Sequence, residues 1–137
     1  MGERISVAAL HELVAAAFQN AGVPAENASV VADVLVEAEG RGIESHGVRM
    51  LASYVARLKA GGFSASAEPK VIREGPAIAL LDGENGLGPL VATRAMRVAM
   101  EKARAAGIGA CAVRNSNHYG AAACYALMAC REGLIGI

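Results

Sequence analysis

Apolar residues recur at helical spacing from the start of the chain. Leu10, Val14, Ala17 and Phe18 share one face of a segment running from Ser6 to Asn20, and Gly22 stands where a glycine ends a helix. Pro24 opens a second segment whose apolar face is Ala28, Val31, Val34, Leu35 and Ala38, with Gly40 and Gly42 at its end. A third face, formed by Val48, Leu51, Val55 and Leu58, is closed by Gly61-Gly62. The polar tetrad Glu44-Ser45-His46-Gly47 is thereby placed at the entrance to a third helix.

The period changes after Phe63. Lys70 to Arg73 and Ile78 to Leu81 are short β-prone runs separated by Gly75-Pro76, and Asp82-Gly83 and Asn85-Gly86 are turn dipeptides, so a strand pair is expected. Pro89 opens a long helix through Ala105, Gly107 ends it, and Ile108 to Val113 reads as a buried strand. A further helix is predicted from about Tyr119 to Arg131, and Leu134 to Ile137 as the start of another apolar strand. This order predicts an α/β protein, with helices in residues 1–62 and a mixed α/β layer with a parallel crossover beginning at residue 63. A terminal strand without a helix to cover it predicts a truncated unit.

Composition narrows the class. Hydrophobic residues make up 54% of the chain against 4% aromatic, so the core is expected to be aliphatic. Thirteen basic residues balance thirteen acidic ones, and no net field favours nucleic acid or anionic lipid. No apolar run approaches the roughly 20 residues of a membrane span, and the first residues lack a signal-peptide core, which predicts a cytoplasmic protein. Cys111, Cys124 and Cys130 show no paired spacing and read as reduced core thiols.

Candidate chemistry lies at two places. His46 and Arg49, three residues apart on a helix, would project from one face; arginine matches a carboxylate with two hydrogen bonds, and histidine titrates near neutral pH. The plainer alternative makes Ser45 a helix cap and leaves His46 and Arg49 as exposed polar residues. Adjacent α-helical positions diverge by about 100°, so Ser45 and His46 are not expected to form a nucleophilic pair, although Ser45 could still orient His46 through backbone geometry. The second place is the polar run from Arg114 to His118, between a strand and a helix, where open α/β layers bind ligands. Gly120, Ala121 and Ala122 would let a cofactor approach the backbone, whereas the alternative is a turn capped by Ser116 or Asn117 with His118 in solvent.

Two tempting signals carry less. Gly107-Ile-Gly109-Ala-Cys-Ala112 fits a dinucleotide fingerprint, but it follows a helix and forms a strand, the reverse of what that motif requires. His11 lies on the first helix with no ligand-spaced partner, and no metal site is predicted.

Taken together, Arg41-Gly-Ile-Glu-Ser-His-Gly-Val-Arg49, Asp82-Gly-Glu-Asn-Gly-Leu-Gly-Pro89 and Arg114-Asn-Ser-Asn-His-Tyr-Gly-Ala-Ala122 resemble the malate/L-lactate dehydrogenase family. The resemblance covers nearly the whole chain, but family members are more than twice as long, which implies an N-terminal fragment of a fold that is not of the Rossmann type. It implies an oxidoreductase moving a hydride between NAD or NADP and C2 of a small 2-hydroxy or 2-oxo acid. His46 and Ser45 would then belong to a catalytic relay, Arg49 would hold the substrate carboxylate, and His118 would match a second family histidine used as acid or base in some members. Residues His118, Tyr119, Gly120, Ala121 and Ala122 would contact the cofactor, and the enzyme would be a homodimer. An imino-acid reductase acting on piperideine- or pyrroline-2-carboxylate is the alternative within the family. Outside it stands a catalytically silent fragment or dimerisation module.

Overall fold

The computed structural model describes residues 4–137, and its elements follow the apolar faces closely in the first half. Helix α1 (Val7–Asn20) begins where the Ser6 hydroxyl accepts the Ala9 N–H at 3.1 Å, satisfying one of the free donors of the first turn. Helix α2 (Ala25–Gly40) starts behind Pro24 and is buried on more than one side, including Val31 and Leu35 with no exposed surface. Burial of each such side chain contributes about 1.5–3 kcal/mol. One side of α2 packs with Val14 and Phe18 of α1, and with Tyr54 and Leu58 of helix α3 (Leu51–Lys59). That core also takes in Phe63, Leu87 and Leu90 from beyond residue 62.

The sheet has three strands in the order β1 (Lys70–Glu74), β2 (Ile78–Asp82), β3 (Ala110–Arg114). β1 pairs antiparallel with β2, with an irregularity between Val71 and Arg73, and β2 pairs parallel with β3. Parallel neighbours need a crossover, and helix α4 (Gly88–Ala106) supplies it. Pro89 sits in its first turn, and Gly107 ends it at φ +82, a left-handed conformation that costs glycine nothing. Leu81, Val91 and Ala95 form the small core between sheet and helix. Helix α5 (Ala122–Arg131) packs Cys124 and Tyr125 against Val34 and Ala38, on a second side of α2.

Four local expectations are corrected. The run from Ile108 to Val113 is not a buried strand: β3 is a sheet edge with only Cys111 half-buried, because α4 covers one face and no described element covers the other. Leu134 to Ile137 forms no strand; Leu134 N–H closes the end of α5 on Ala129 O, and Ile135 and Ile137 stay exposed. Helix α5 begins three residues after Tyr119, since Gly120 at φ +80 turns the chain before it. Of the three thiols, all free, only Cys124 is buried and Cys130 is exposed. Among the described residues, no helix is long and apolar enough to cross a membrane.

Candidate functional site

The tetrad 44–47 does not open an α-helix. Glu44–His46 and Val48–Met50 form two short 3-10 turns, separated by Gly47 at φ −91 and ψ −145, before α3 begins at Leu51. His46 and Arg49 therefore do not lie one turn apart on a single helix, as their spacing predicted. The break follows from how closely the turn docks on α2. A Cβ on residue 47 would displace the Glu39 carboxylate and crowd the Glu39 Cα and N at 3.1 Å, so glycine lets the turn sit this close to α2. The Glu39 carboxylate accepts the Val48 N–H at 2.8 Å, providing the cap that Ser45 was considered for.

Released from that role, Ser45 turns its hydroxyl to its neighbour. Ser45 Oγ lies 2.9 Å from His46 Nδ1, a hydrogen bond that α-helical geometry would have forbidden and the tighter 3-10 turn allows. The expectation of diverging side chains is overturned, and Ser45 orients His46 through its side chain. Arg49 is exposed in the adjoining turn and makes no ion pair among the described residues.

The blocks 82–89 and 114–122 form one unit. Asp82, 8% exposed, accepts the Glu84 N–H at 3.0 Å, Asn115 Nδ2 at 3.1 Å and Arg114 Nε at 2.8 Å. The Glu84 backbone bond, then Asn115 and Arg114, hold its carboxyl down at about 2. Asn117 caps no helix. Its Nδ2 donates to Asn85 O, Asn85 Oδ1 and Gly86 O at 3.2, 3.0 and 2.9 Å, stapling the two turns together. Helix α5 has Ala121 at its N-cap position and no side-chain cap; the Cys124 N–H bonds Ala121 O at 3.1 Å, and the N–H groups of Ala122 and Ala123 are left for a ligand.

This unit presents His118 to His46. The two imidazoles stack with centroids 5.4 Å apart and planes 29° from parallel, although His118 is exposed and His46 half-buried. Behind them stands Tyr54, which sequence reasoning missed. Its ring is 1% exposed, between Phe18 and Phe63, while its hydroxyl lies 2.7 Å from His118 Nδ1 and donates to His118 O at 3.1 Å. Burial pushes its phenol up to about 12, against a small opposing pull from Arg57, so Tyr54 remains a hydroxyl at neutral pH. The available signal was its place three residues after Leu51, on the apolar face of α3 with one polar atom to satisfy.

The remaining candidate residues divide. Tyr119 is 47% exposed, with its ring 5.7 Å from that of Tyr125, whose hydroxyl donates to Tyr119 O. Gly120 passes 3.8 Å from His46 O as a Cβ there would meet it, Ala121 packs in the core with Val34, and Ala122 is exposed. Small residues, free helix N–H groups and an exposed turn suit a large planar or anionic cofactor.

A family model described as malate/L-lactate dehydrogenase matches residues 5–137. Malate dehydrogenase of Pyrococcus abyssi is 52% identical over 134 residues, which is 98% of this chain and 37% of that protein. L-sulfolactate dehydrogenase of Methanocaldococcus jannaschii is 41% identical over 116 residues, covering 85% of this chain and 34% of that one. The solved structure of malate dehydrogenase from Pyrococcus horikoshii OT3 matches with a TM-score of 0.92 at 47% identity, over 96% of this chain and 38% of that one. The chain thus spans little more than a third of the length of these relatives. With the match running from residue 5 to residue 137, the chain belongs to the malate/L-lactate dehydrogenase family.

Proposed function

We propose that this chain forms the proton-handling and carboxylate-binding part of an NAD- or NADP-dependent oxidoreductase acting on a small 2-hydroxy or 2-oxo acid. The observation that carries the reading is the pair of stacked imidazoles, each with Nδ1 against a hydroxyl, Ser45 at 2.9 Å and Tyr54 at 2.7 Å. Anchoring both rings at Nδ1 leaves both Nε2 atoms for a ligand. Proton transfer to or from an alcohol or ketone oxygen requires a positioned group of this kind. Arg49, exposed and without an ion pair among the described residues, has its full fork of donors for a carboxylate. Glu39 holds the turn that carries both His46 and Arg49.

The residues of the turn 118–122 would hold the nicotinamide cofactor, Ala121 through its backbone because its side chain is buried. Bound there, the cofactor supplies or accepts the hydride at C2 of the acid. Malate- and sulfolactate-like acids are the substrate class favoured by the relatives' names. The same reading takes residues 1–62 as the part carrying the catalytic turn and 63–137 as the beginning of the cofactor-binding part. It places the whole enzyme in the cytoplasm as a homodimer; the three free thiols suit a reducing compartment.

A second reading is that this 137-residue form is catalytically silent. The bare edge of β3 and the exposed Ile108, Ile135 and Ile137 favour it. Titration of the protein into NADH and NADPH, followed by coenzyme fluorescence, separates the two: saturable binding supports the first and its absence the second. Turnover is then measured with malate, sulfolactate, pyruvate, oxaloacetate and piperideine-2-carboxylate, the last testing imino-acid reduction. Unchanged turnover of every accepted substrate by His46→Ala would remove His46 from the mechanism.

A further inference from the structure

The hydroxyl of Tyr54 makes two contacts with one residue, and a single proton must account for both. His118 O can only accept, so at 3.1 Å it takes the Tyr54 proton. The 2.7 Å contact between Tyr54 Oη and His118 Nδ1 is then a bond only if Nδ1 carries a hydrogen and donates it. The opposite arrangement, with Tyr54 donating to a bare Nδ1, would leave two oxygen lone pairs facing each other at the carbonyl. We infer that Tyr54 is a positioning residue that holds neutral His118 in the tautomer protonated at Nδ1, leaving Nε2 as an unprotonated acceptor.

His46 differs in kind. Its Nδ1 faces only the Ser45 hydroxyl, which donates or accepts equally well and selects no tautomer. The two stacked rings are therefore not equivalent. A bare Nε2 on His118 is the state that takes a proton from an alcohol, and the imidazolium formed keeps both bonds to Tyr54 unchanged. No side chain has to move when the proton arrives. Burial of the Tyr54 ring between Phe18 and Phe63 fixes the hydroxyl, so the selection does not depend on a mobile surface group. The role for catalysis rests on the function proposed above, whereas the tautomer does not.

The test is the two-bond proton–nitrogen correlation spectrum of the nitrogen-15-labelled protein, recorded where its histidines are neutral, with His118 assigned through His118→Gln. The expected pattern has a pyrrole-like Nδ1 and a pyridine-like Nε2 for His118. Tyr54→Phe should move His118 toward the Nε2–H form that an imidazole in water prefers, leaving His11 unchanged. A wild-type His118 protonated at Nε2, or a tautomer indifferent to Tyr54→Phe, overturns the inference. If Tyr54→Phe does not fold, the wild-type spectrum decides alone. Failure of the oxidoreductase reading would show as absent cofactor binding and turnover with this spectrum intact, so the two outcomes are distinguishable.

Discussion

Replacing Gly88 by alanine tests how the second histidine is held in place. Gly88 is the buried first residue of α4, and its α-carbon faces the backbone of the turn that carries His118. A Cβ there would lie 2.5 Å from Asn117 O and nearer still to the His118 carbonyl. Where side chains can give way, added methyl groups cost about 1–3 kcal/mol. Here the obstacle is backbone, pinned by the three bonds of Asn117 Nδ2 and by Tyr54, so the upper end, about 3 kcal/mol, applies. At a few degrees per kcal/mol for a chain of this size, the melting temperature should fall by roughly 10 °C. Two control substitutions isolate the cause. Gly107→Ala has open space but needs φ +82, which predicts a loss of about 1–2 kcal/mol from strain alone. Gly40→Ala, also in open space and without that backbone, should gain about 0.5 kcal/mol. Differential scanning calorimetry of the three variants reads the order. A Gly88→Ala protein melting within about 2 °C of wild type, or above Gly107→Ala, would refute the reasoning.

Two further outcomes follow from the same geometry. Burial holds the Tyr54 phenol up at about 12 against an ordinary 10.0, and raises Tyr125 as well. Such groups contribute stability below pH 10 that is lost as pH rises toward 12, up to about 3 kcal/mol for Tyr54; urea midpoints across this range should fall, and less so in Tyr54→Phe. Glu39→Ala leaves the Val48 N–H without its acceptor and should cost about 1–3 kcal/mol, whereas Glu39→Gln keeps an acceptor oxygen and should recover most of it. Equal urea midpoints for the two Glu39 variants would count against a capping role.

The three helical faces, the strand pair and the long crossover helix were legible because they are local: periods of 3.6 or 2 and turn dipeptides act within a few residues. The candidate residues His46, Arg49 and His118 stood out for the same reason, as polar groups interrupting those periods. Contacts across the fold were not legible in this way. Tyr54 reaches His118 over 64 positions of sequence, a separation that periodicity along α3 does not register. Glu39 drew no attention in the sequence, yet its carboxylate caps the Val48 N–H and its backbone lies close to Gly47, where the chain makes two turns before the α-segment. In that arrangement Ser45 bonds His46, which helical spacing did not lead one to expect. β3 reads as a core strand from hydropathy, and its exposure is decided by its place at the sheet edge. Sequence by itself thus determined the elements and nominated the chemistry, since periodicity and residue type are local properties. Tertiary structure alone decided which hydroxyl meets which imidazole, because that depends on how α2, α3 and the turn before α5 pack at distances local patterns do not encode.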